Sequence, residues 1–286
     1  PPEISWSGMT PLTSCDTAPL FRPLSRQLVG LLQELSPDDW LRPTVAGAWR
    51  VRDVAAHLLD GQLRKLSARR DAHLAPPDRP IQSDQDLARF INAVNAGGVA
   101  FGARLSTAVL TDLLQHAGEQ LADLVTSLDP HGPAIYAVSW AGEQQSENWM
   151  DTGREYTEHW HHQMQIRDAA GRPRLLAPRW LEPLLAISVR ALPYAYAGVR
   201  AAPGTTITLA VTGETTGSWT LVRVDDRWQI WRGRPAAPDA MVTIAADDVW
   251  RMFYNALAGD ALRRRVTVAG DADLAAPLLR ARSVIV

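Results

Sequence analysis

Histidines and acidic residues crowd one short stretch of this 286-residue chain. His159, His161 and His162, three of its seven histidines, follow directly on Glu158. Residues four apart on a helix share a face, with Cβ atoms about 5 to 6 Å apart, so Glu158 and His162 can bind one cation. The pair Glu155 and His159 has the same spacing, and an exposed polar face without any ligand is a further interpretation. The spacing therefore indicates a metal-binding pair and leaves its register open.

A metal site needs a third donor, and the nearest candidate in a helical pattern is His57. It lies beside the apolar stripe of a helix predicted over 51–72. A lone histidine in such a place is commonly a core residue, so its position does not by itself make it a ligand. Ile166 and Ala169 continue the face of Glu158 and His162, which predicts a partly apolar setting for that pair.

The elements that position these residues are predicted to be helical up to residue 172. Apolar residues recur at intervals of three and four residues, which is typical of amphipathic helices. Asp16 or Thr17 can cap the first helix. The predicted helices contain the stripe from Phe21 to Leu35 and the ranges 51–72, 87–101, 105–128 and 146–170, and Gly97-Gly98 can interrupt the third. Four or five amphipathic helices are enough for an antiparallel bundle.

The hydrophobic period changes from helical to alternating beyond Gly204. Strands are predicted at 206–211, 219–224, 228–231, 241–244 and 265–268, with helices at 248–257 and 273–281. A helix over 180–197, bent near Pro193, precedes them and is expected to bridge two domains. The chain is long enough for two cores. We therefore predict an α+β protein with a helical domain at 1–172 and a smaller α/β domain at 173–286.

Composition excludes several classes of function. With 29 basic and 31 acidic residues the formal charge is −2, so neither nucleic acid nor an anionic membrane is an expected partner. No apolar run approaches the roughly 18 to 20 residues that span a bilayer, and no signal pattern is visible, so a cytoplasmic location is expected. Cys15 is the only cysteine, which excludes an internal disulfide and indicates an ordinary free thiol. Residues 1–8 show no periodicity and are left out of the fold prediction.

Three segments together resemble the mycothiol-dependent maleylpyruvate isomerase family, a branch of the DinB-like metalloproteins. Residues 49–59 are at the start of the second predicted helix, residues 154–162 are in the histidine-rich helix, and residues 168–173 are at the end of that helix. In the second half, 217–220 and 270–274 are similar to the family's sterol-carrier-like C-terminal domain. The resemblance implies a DinB-like antiparallel four-helix bundle followed by a small sterol-carrier-like α/β domain. The extra histidines and the N-terminal extension depart from the family pattern.

The resemblance also implies a site. By the spacing to Gly171, it selects Glu158 and His162 rather than the alternative pair, and it adds His57 as third ligand of a divalent metal, with zinc expected. Three protein ligands leave an open position, as in catalytic zinc sites. A low-molecular-weight thiol such as mycothiol is the implied cofactor of a cis-trans isomerase or thiol S-transferase acting on a small activated molecule. The alternative is a non-catalytic small-molecule or metal-binding protein with a ligand cleft between its domains.

Arginine is the natural clamp for a carboxylate substrate, because its planar guanidinium binds two oxygens at once. Arg64 on the metal-bearing side is one candidate, and Arg263, Arg264 and Arg265 in the second domain are the others. Their alternative role is solvated surface charge. The free histidines are expected to titrate near 6.5, so acidification through that range should weaken metal binding. The sequence leaves the oligomeric state open.

Overall fold

The structure is a computed structural model that describes residues 8–285, except for the Asp84 side chain. It divides into a helical unit, residues 16–135 and 147–174, and a sheet unit, residues 8–15, 136–146 and 175–285. The mixed α+β character predicted from the sequence is confirmed. Residues 1–7, left out of the fold prediction, lie outside the described residues.

Six helices build the helical unit. They are α1 Phe21–Gln33, α2 Pro37–Trp40, α3 Val51–Arg69, α4 Asp84–Gly102, α5 Thr107–Ser127 and α6 Asn148–Ala169. Helix α3 packs against α4, α5 and α6, and α1 packs against α5 and α6. Five of these helices exceed ten residues within the described part of the chain, so the four-helix arrangement stays a prediction.

The start of α3 is set by a local hydrogen bond. The Asp53 carboxylate accepts from the backbone N–H of Arg50 at 2.9 Å, at the last residue before the helix begins. Such a bond satisfies a donor that has no partner within the helix. Val51, Val54 and Leu58 then face the core of the helical unit. The cap and this stripe together place His57 on the buried side of α3.

Gly97 and Gly98 do not interrupt α4, which continues to Gly102. A Cβ at Gly98 would overlap the Asp60 side chain, and one at Gly102 would overlap the Ala56 side chain. Both Asp60 and Ala56 belong to α3. The glycines therefore allow α3 and α4 to approach closely, which offsets their low helix propensity.

We expect Gly102→Ala to lower the free energy of unfolding by roughly 1 to 3 kcal/mol, because the added methyl group overpacks the contact with Ala56. Gly97→Ala is the matched control. No heavy atom lies within 4 Å of a Cβ there, so alanine should stabilise the helix by up to about 1 kcal/mol. Urea denaturation of both variants measures the difference. Equal effects of the two changes would contradict the close approach at Gly102.

The sheet unit contains one six-stranded sheet. Its strands are β1 Met9–Pro11, β2 Thr206–Thr212, β3 Gly217–Val224, β4 Arg227–Gly233, β5 Ala240–Ala245 and β6 Val266–Gly270. The order is β1-β4-β3-β2-β5-β6, and only the β2–β5 pair is parallel. The helices of this unit are α7 Pro178–Ser188, α8 Ala191–Ala195, α9 Ala246–Phe253, α10 Gly259–Arg263 and α11 Ala272–Ala275.

Two details of the sheet unit differ from the sequence prediction. The helix predicted over 180–197 is two helices, α7 and α8, with the break at residues 189–190 rather than at Pro193. Pro193 instead lies in the first turn of α8, where its missing N–H removes no intrahelical bond. The helix predicted over 273–281 is α11 followed by a 3₁₀ turn, because Pro277 cannot continue the hydrogen-bond ladder.

The N-terminal strand also changes the division of the chain. Met9 pairs with Gly233 and Pro11 with Trp231, so β1 joins the sheet unit instead of the predicted domain 1–172. Residues 136–146 belong to the sheet unit as well. A three-residue strand carries too short a pattern to be predicted. Within residues 8–285, no helix is both long and apolar enough to cross a bilayer.

Candidate metal centre

Helices α3 and α6 bring His57, Glu158 and His162 together. One potential ligand atom from each residue lies within 4.8 Å of those of the other two. His162 Nε2 is 3.4 Å from Glu158 Oε2, and the imidazole rings of His57 and His162 meet edge to face at 4.6 Å. Two helices far apart in sequence thus present three donors to one point. That these donors hold a metal stays a proposal.

Burial and hydrogen bonding fit a ligand role for these side chains. His57 is 9% exposed and His162 is 8% exposed, whereas the side chain of Glu158 is 24% exposed. His57 Nδ1 is buried without a hydrogen-bond partner among the described residues. Buried polar atoms in native proteins normally have partners, so a buried imidazole nitrogen without a protein partner fits a ligand role for His57.

Gln165 fixes the tautomer of His162. Its Oε1 lies 2.8 Å from His162 Nδ1, and both side chains are buried. Since a carbonyl oxygen only accepts, Nδ1 carries the proton and Nε2 keeps its lone pair on the side of Glu158. Outer partners of this kind orient metal-binding histidines in many proteins. Gln165 is therefore a positioning residue that the sequence interpretation missed.

We expect Gln165→Leu to weaken metal affinity by roughly 10- to 100-fold, because the His162 ring loses the partner that holds its tautomer. Gln163→Leu is the matched control. It is buried on the same helix but donates to the Leu24 carbonyl instead of contacting a proposed ligand. Competition against a chromogenic chelator measures both affinities. Equal losses in the two variants would show that the effect of Gln165 comes from the fold alone.

The remaining histidines of α6 make other contacts, although the ring of His161 also lies 4.0 Å from that of His162. The ring of His159 packs against Phe21 with 5.6 Å between centroids, and Glu155 accepts from Arg154 at 2.6 Å. His161 Nδ1 donates to the Thr157 carbonyl at 2.8 Å. Among the described residues, the alternative pair Glu155 and His159 forms no three-donor cluster.

The indole ring of Trp49 packs against one side of the site. The Trp49 ring lies 5.0 Å from that of His57 and 6.5 Å from that of His162, measured between centroids. This packing orients His57, whose Nδ1 has no hydrogen-bond partner among the described residues. Trp49 entered the sequence interpretation only as part of a family motif. Its contact with both histidines depends on the fold.

Electrostatics favour the neutral form of His57 and His161 and the charged form of Glu158. Burial, reinforced by the neighbouring His162, holds the pKa of His57 well below its usual range. Burial also lowers the pKa of His161 to about 3. Burial opposes ionisation of Glu158, yet the surrounding imidazoles hold its pKa below its usual range. His57 therefore offers a lone pair at neutral pH, and Glu158 offers a negative charge.

A buried ionic cluster, which we define as Lys65, Asp151, Arg154 and Glu155, adjoins the three donors. Lys65 Nζ lies 2.5 Å from Asp151 Oδ2 and 3.8 Å from Glu155 Oε1. Arg154 donates to both carboxylates, at 2.8 and 2.6 Å. Because Lys65 meets Asp151 while His57 meets His162, α3 and α6 run antiparallel. Sequence signals for this cluster existed, since Lys65 is the only lysine and the acids repeat along one face of α6.

The structure separates the proposed arginine clamps. Arg64 lies two turns beyond His57 on α3, where it is exposed and donates to Asp60 at 2.7 Å and to Asn95 at 2.9 Å. The other three lie in the sheet unit. Arg263 is the last residue of α10, and Arg264 and Arg265 connect α10 to β6. Arg263 pairs with Asp260 at 2.8 Å and Arg265 with Asp248 at 3.3 Å. A substrate would therefore compete with existing partners at Arg64, Arg263 and Arg265.

Known proteins share this fold and part of this sequence. The family described as mycothiol maleylpyruvate isomerase N-terminal domain matches residues 21–167. The crystal structure of the mycothiol-dependent maleylpyruvate isomerase superposes with a TM-score of 0.54 at 14% identity, covering 89% of this chain and 92% of that one. The crystal structure of a histidine-to-alanine mutant of that isomerase superposes with a TM-score of 0.52 at 13% identity, and the coverage of both chains is the same.

A sterol carrier protein 2 like 2 from Aedes aegypti matches at 24% identity with a TM-score of 0.26, covering 33% of this chain and 96% of its own. No curated protein matches the sequence. The family match spans the helices that carry His57, Glu158 and His162, and it includes more than half of the residues. The chain therefore belongs to the mycothiol maleylpyruvate isomerase family.

Proposed function

We propose that this protein is a metal-dependent enzyme that uses a low-molecular-weight thiol such as mycothiol, as a cis-trans isomerase or a thiol S-transferase. The observation that carries the proposal is the convergence of His57, Glu158 and His162. His57 also has a buried Nδ1 without a hydrogen-bond partner among the described residues. Family membership supports it, because the similar crystal structure is that of a mycothiol-dependent isomerase.

The donor set suits a divalent cation such as zinc, with two imidazoles, one carboxylate and room for a further ligand. When bound, the metal favours the thiolate form of a thiol at neutral pH. The chain contributes the neutral imidazole of His57 and the charged carboxylate of Glu158. Trp49 shields one side of the donors from water.

A thiolate has two reactions open to it. If bound at this site, the thiol would supply a nucleophilic sulfur. Its reversible addition to a double bond conjugated with a carbonyl group would allow rotation about the carbon–carbon bond, and its release would restore the double bond as the other isomer. Attack at a carbon with a leaving group gives S-transfer instead. We propose Arg64 as a clamp for a substrate carboxylate and keep Arg263, Arg264 and Arg265 as further candidates.

The test combines metal analysis with thiol-dependent turnover. Full-length protein substituted with cobalt should develop a sulfur-to-metal charge-transfer band when mycothiol is added, and it should isomerise maleylpyruvate only with both metal and thiol. Cys15→Ser should leave turnover unchanged, because the reactive sulfur comes from outside. Turnover in thiol-free buffer would contradict the proposal. A spectral change without turnover of any tested substrate would favour the alternative, a non-catalytic binding protein.

Acidification tests the electrostatics of the donors. The pKa of His57 and that of His161 are lowered by burial, so both imidazoles stay neutral in the folded metal-free protein below pH 6.5, whereas the unfolded chain binds protons there. The free energy of unfolding should therefore fall as the pH drops below about 6.5. The expectation of titration near 6.5 is wrong for His57. Urea denaturation at pH 7.5 and pH 5.0 measures the loss, and a free energy that rises on acidification would contradict it.

A further inference from the structure

A pocket of about 310 Å³ lies where α1 and α6 end, within the helical unit. Three arginines line it, Arg26, Arg167 and Arg172, and the only acidic side chain in its lining is the exposed Glu34. We call it the arginine pocket. None of its lining residues is a proposed metal ligand, so it is a separate feature of the molecule.

Arg167 is a buried charge without a carboxylate partner. It is 8% exposed and donates to the Pro173 carbonyl at 2.8 Å, to Gln27 at 3.4 Å and to Gln163 Oε1 at 3.5 Å. All of these acceptors are neutral. Within the described residues, no carboxylate oxygen lies within ion-pair distance of its guanidinium. A buried charge is normally balanced by an opposite charge.

Arg172 has an unused donor. One of its terminal nitrogens donates to the Glu34 backbone carbonyl at 3.2 Å, but its Nε is buried and has no partner among the described residues. Like Arg167, it has no carboxylate within ion-pair distance in the part of the chain that the structure describes. Two guanidiniums at one pocket thus have no directly paired anion among the described residues, and Glu34 and Asp39 act on Arg167 and Arg172 only from beyond ion-pair distance.

Arginines near helix ends commonly bind the last carbonyl groups, and this role explains the bonds to Pro173 and Glu34. It explains neither the absence of a directly paired anion nor the unbonded Nε of Arg172. An oxyanion supplies both, because its oxygens accept several charge-assisted hydrogen bonds from guanidinium groups. We propose that the arginine pocket binds a small ligand through a phosphate or carboxylate group.

The experiment titrates the full-length protein with inorganic phosphate and with succinate at constant ionic strength, by calorimetry. Saturable binding of one ligand is expected, and the tighter probe identifies the group that the pocket prefers. Arg172→Met should weaken binding by roughly 10- to 100-fold, the effect of losing one charged hydrogen bond. Arg174→Met is the matched control. It removes the same charge two residues away, from a side chain paired with Asp168 at 2.6 Å, and should change affinity less than about twofold.

Gly30→Leu tests the pocket without removing a charge. Gly30 lines the pocket, and no heavy atom lies within 4 Å of a Cβ placed there. Leucine should fill the space and abolish binding while the thermal midpoint stays equal or rises, since glycine is a poor helix residue. This variant keeps the test valid if Arg172→Met fails to fold.

Three results would overturn the proposal. The first is no saturable binding of either probe. The second is an equal loss of anion affinity in Arg172→Met and Arg174→Met, which would indicate attraction by the overall positive charge of this surface rather than binding in the pocket. The third is loss of binding in His57→Ala, which would place the anion at the proposed metal centre instead.

Discussion

Replacing His57 or His162 by alanine is expected to remove most of the bound metal, with a loss of affinity above about 100-fold. Loss of a residue that only hydrogen-bonds a ligand typically lowers metal affinity by roughly 10- to 100-fold. The expected loss is larger here because a ligand itself is removed. His159→Ala and His161→Ala should keep the metal. The His159 ring packs on Phe21, and His161 donates its Nδ1 proton to the Thr157 carbonyl.

Elemental analysis of the four purified variants, each checked for folding by circular dichroism, decides this prediction. The comparison is well matched because His159, His161 and His162 are all buried on α6. If His159→Ala empties the site while His162→Ala leaves it filled, the register taken from the family resemblance is wrong. Glu155 would then be the carboxylate to test.

Lys65→Met is expected to lower the free energy of unfolding by about 3 kcal/mol. Lys65 is 4% exposed, and its removal leaves the buried carboxylates of Asp151 and Glu155 with only Arg154 to balance them. Removing one partner of a buried ion pair typically costs about 3 to 5 kcal/mol of stability. We expect a loss at the lower end of this range because Arg154 still pairs with both carboxylates.

Arg89→Met provides the comparison for that loss. Arg89 pairs with Asp86 at 2.6 Å on the exposed side of α4, where an ion pair is worth at most about 1 kcal/mol. Urea denaturation at neutral pH measures both variants. A Lys65→Met loss no larger than that of Arg89→Met would mean that water reaches the buried ionic cluster and that its charges are screened.

The helical half of the fold was predictable because its signals are local. Periods of three and four residues located α1, α3, α5 and α6 to within a few residues. Gly97 and Gly98 were ambiguous, since glycine lowers helix propensity but also permits close packing. Only the contact of Gly98 and Gly102 with α3 resolves that ambiguity. The pairing of β1 with β4 was not predictable, because it joins residues more than two hundred positions apart.

The sequence by itself determined which residue types are available and which of them share a helix face, so spacing offered two pairs, Glu158 with His162 and Glu155 with His159. The family resemblance selected the first pair. His57 needed a family resemblance, because no periodicity connects α3 with α6. Tertiary structure decided the rest. It set the antiparallel register that opposes Lys65 to Asp151 and His57 to His162, and it placed Gln165 and Trp49 around the donors. The physical reason is that hydrogen bonds and ion pairs between helices depend on the angle and the distance between the helix axes. The hydrophobic pattern of a sequence does not contain that information.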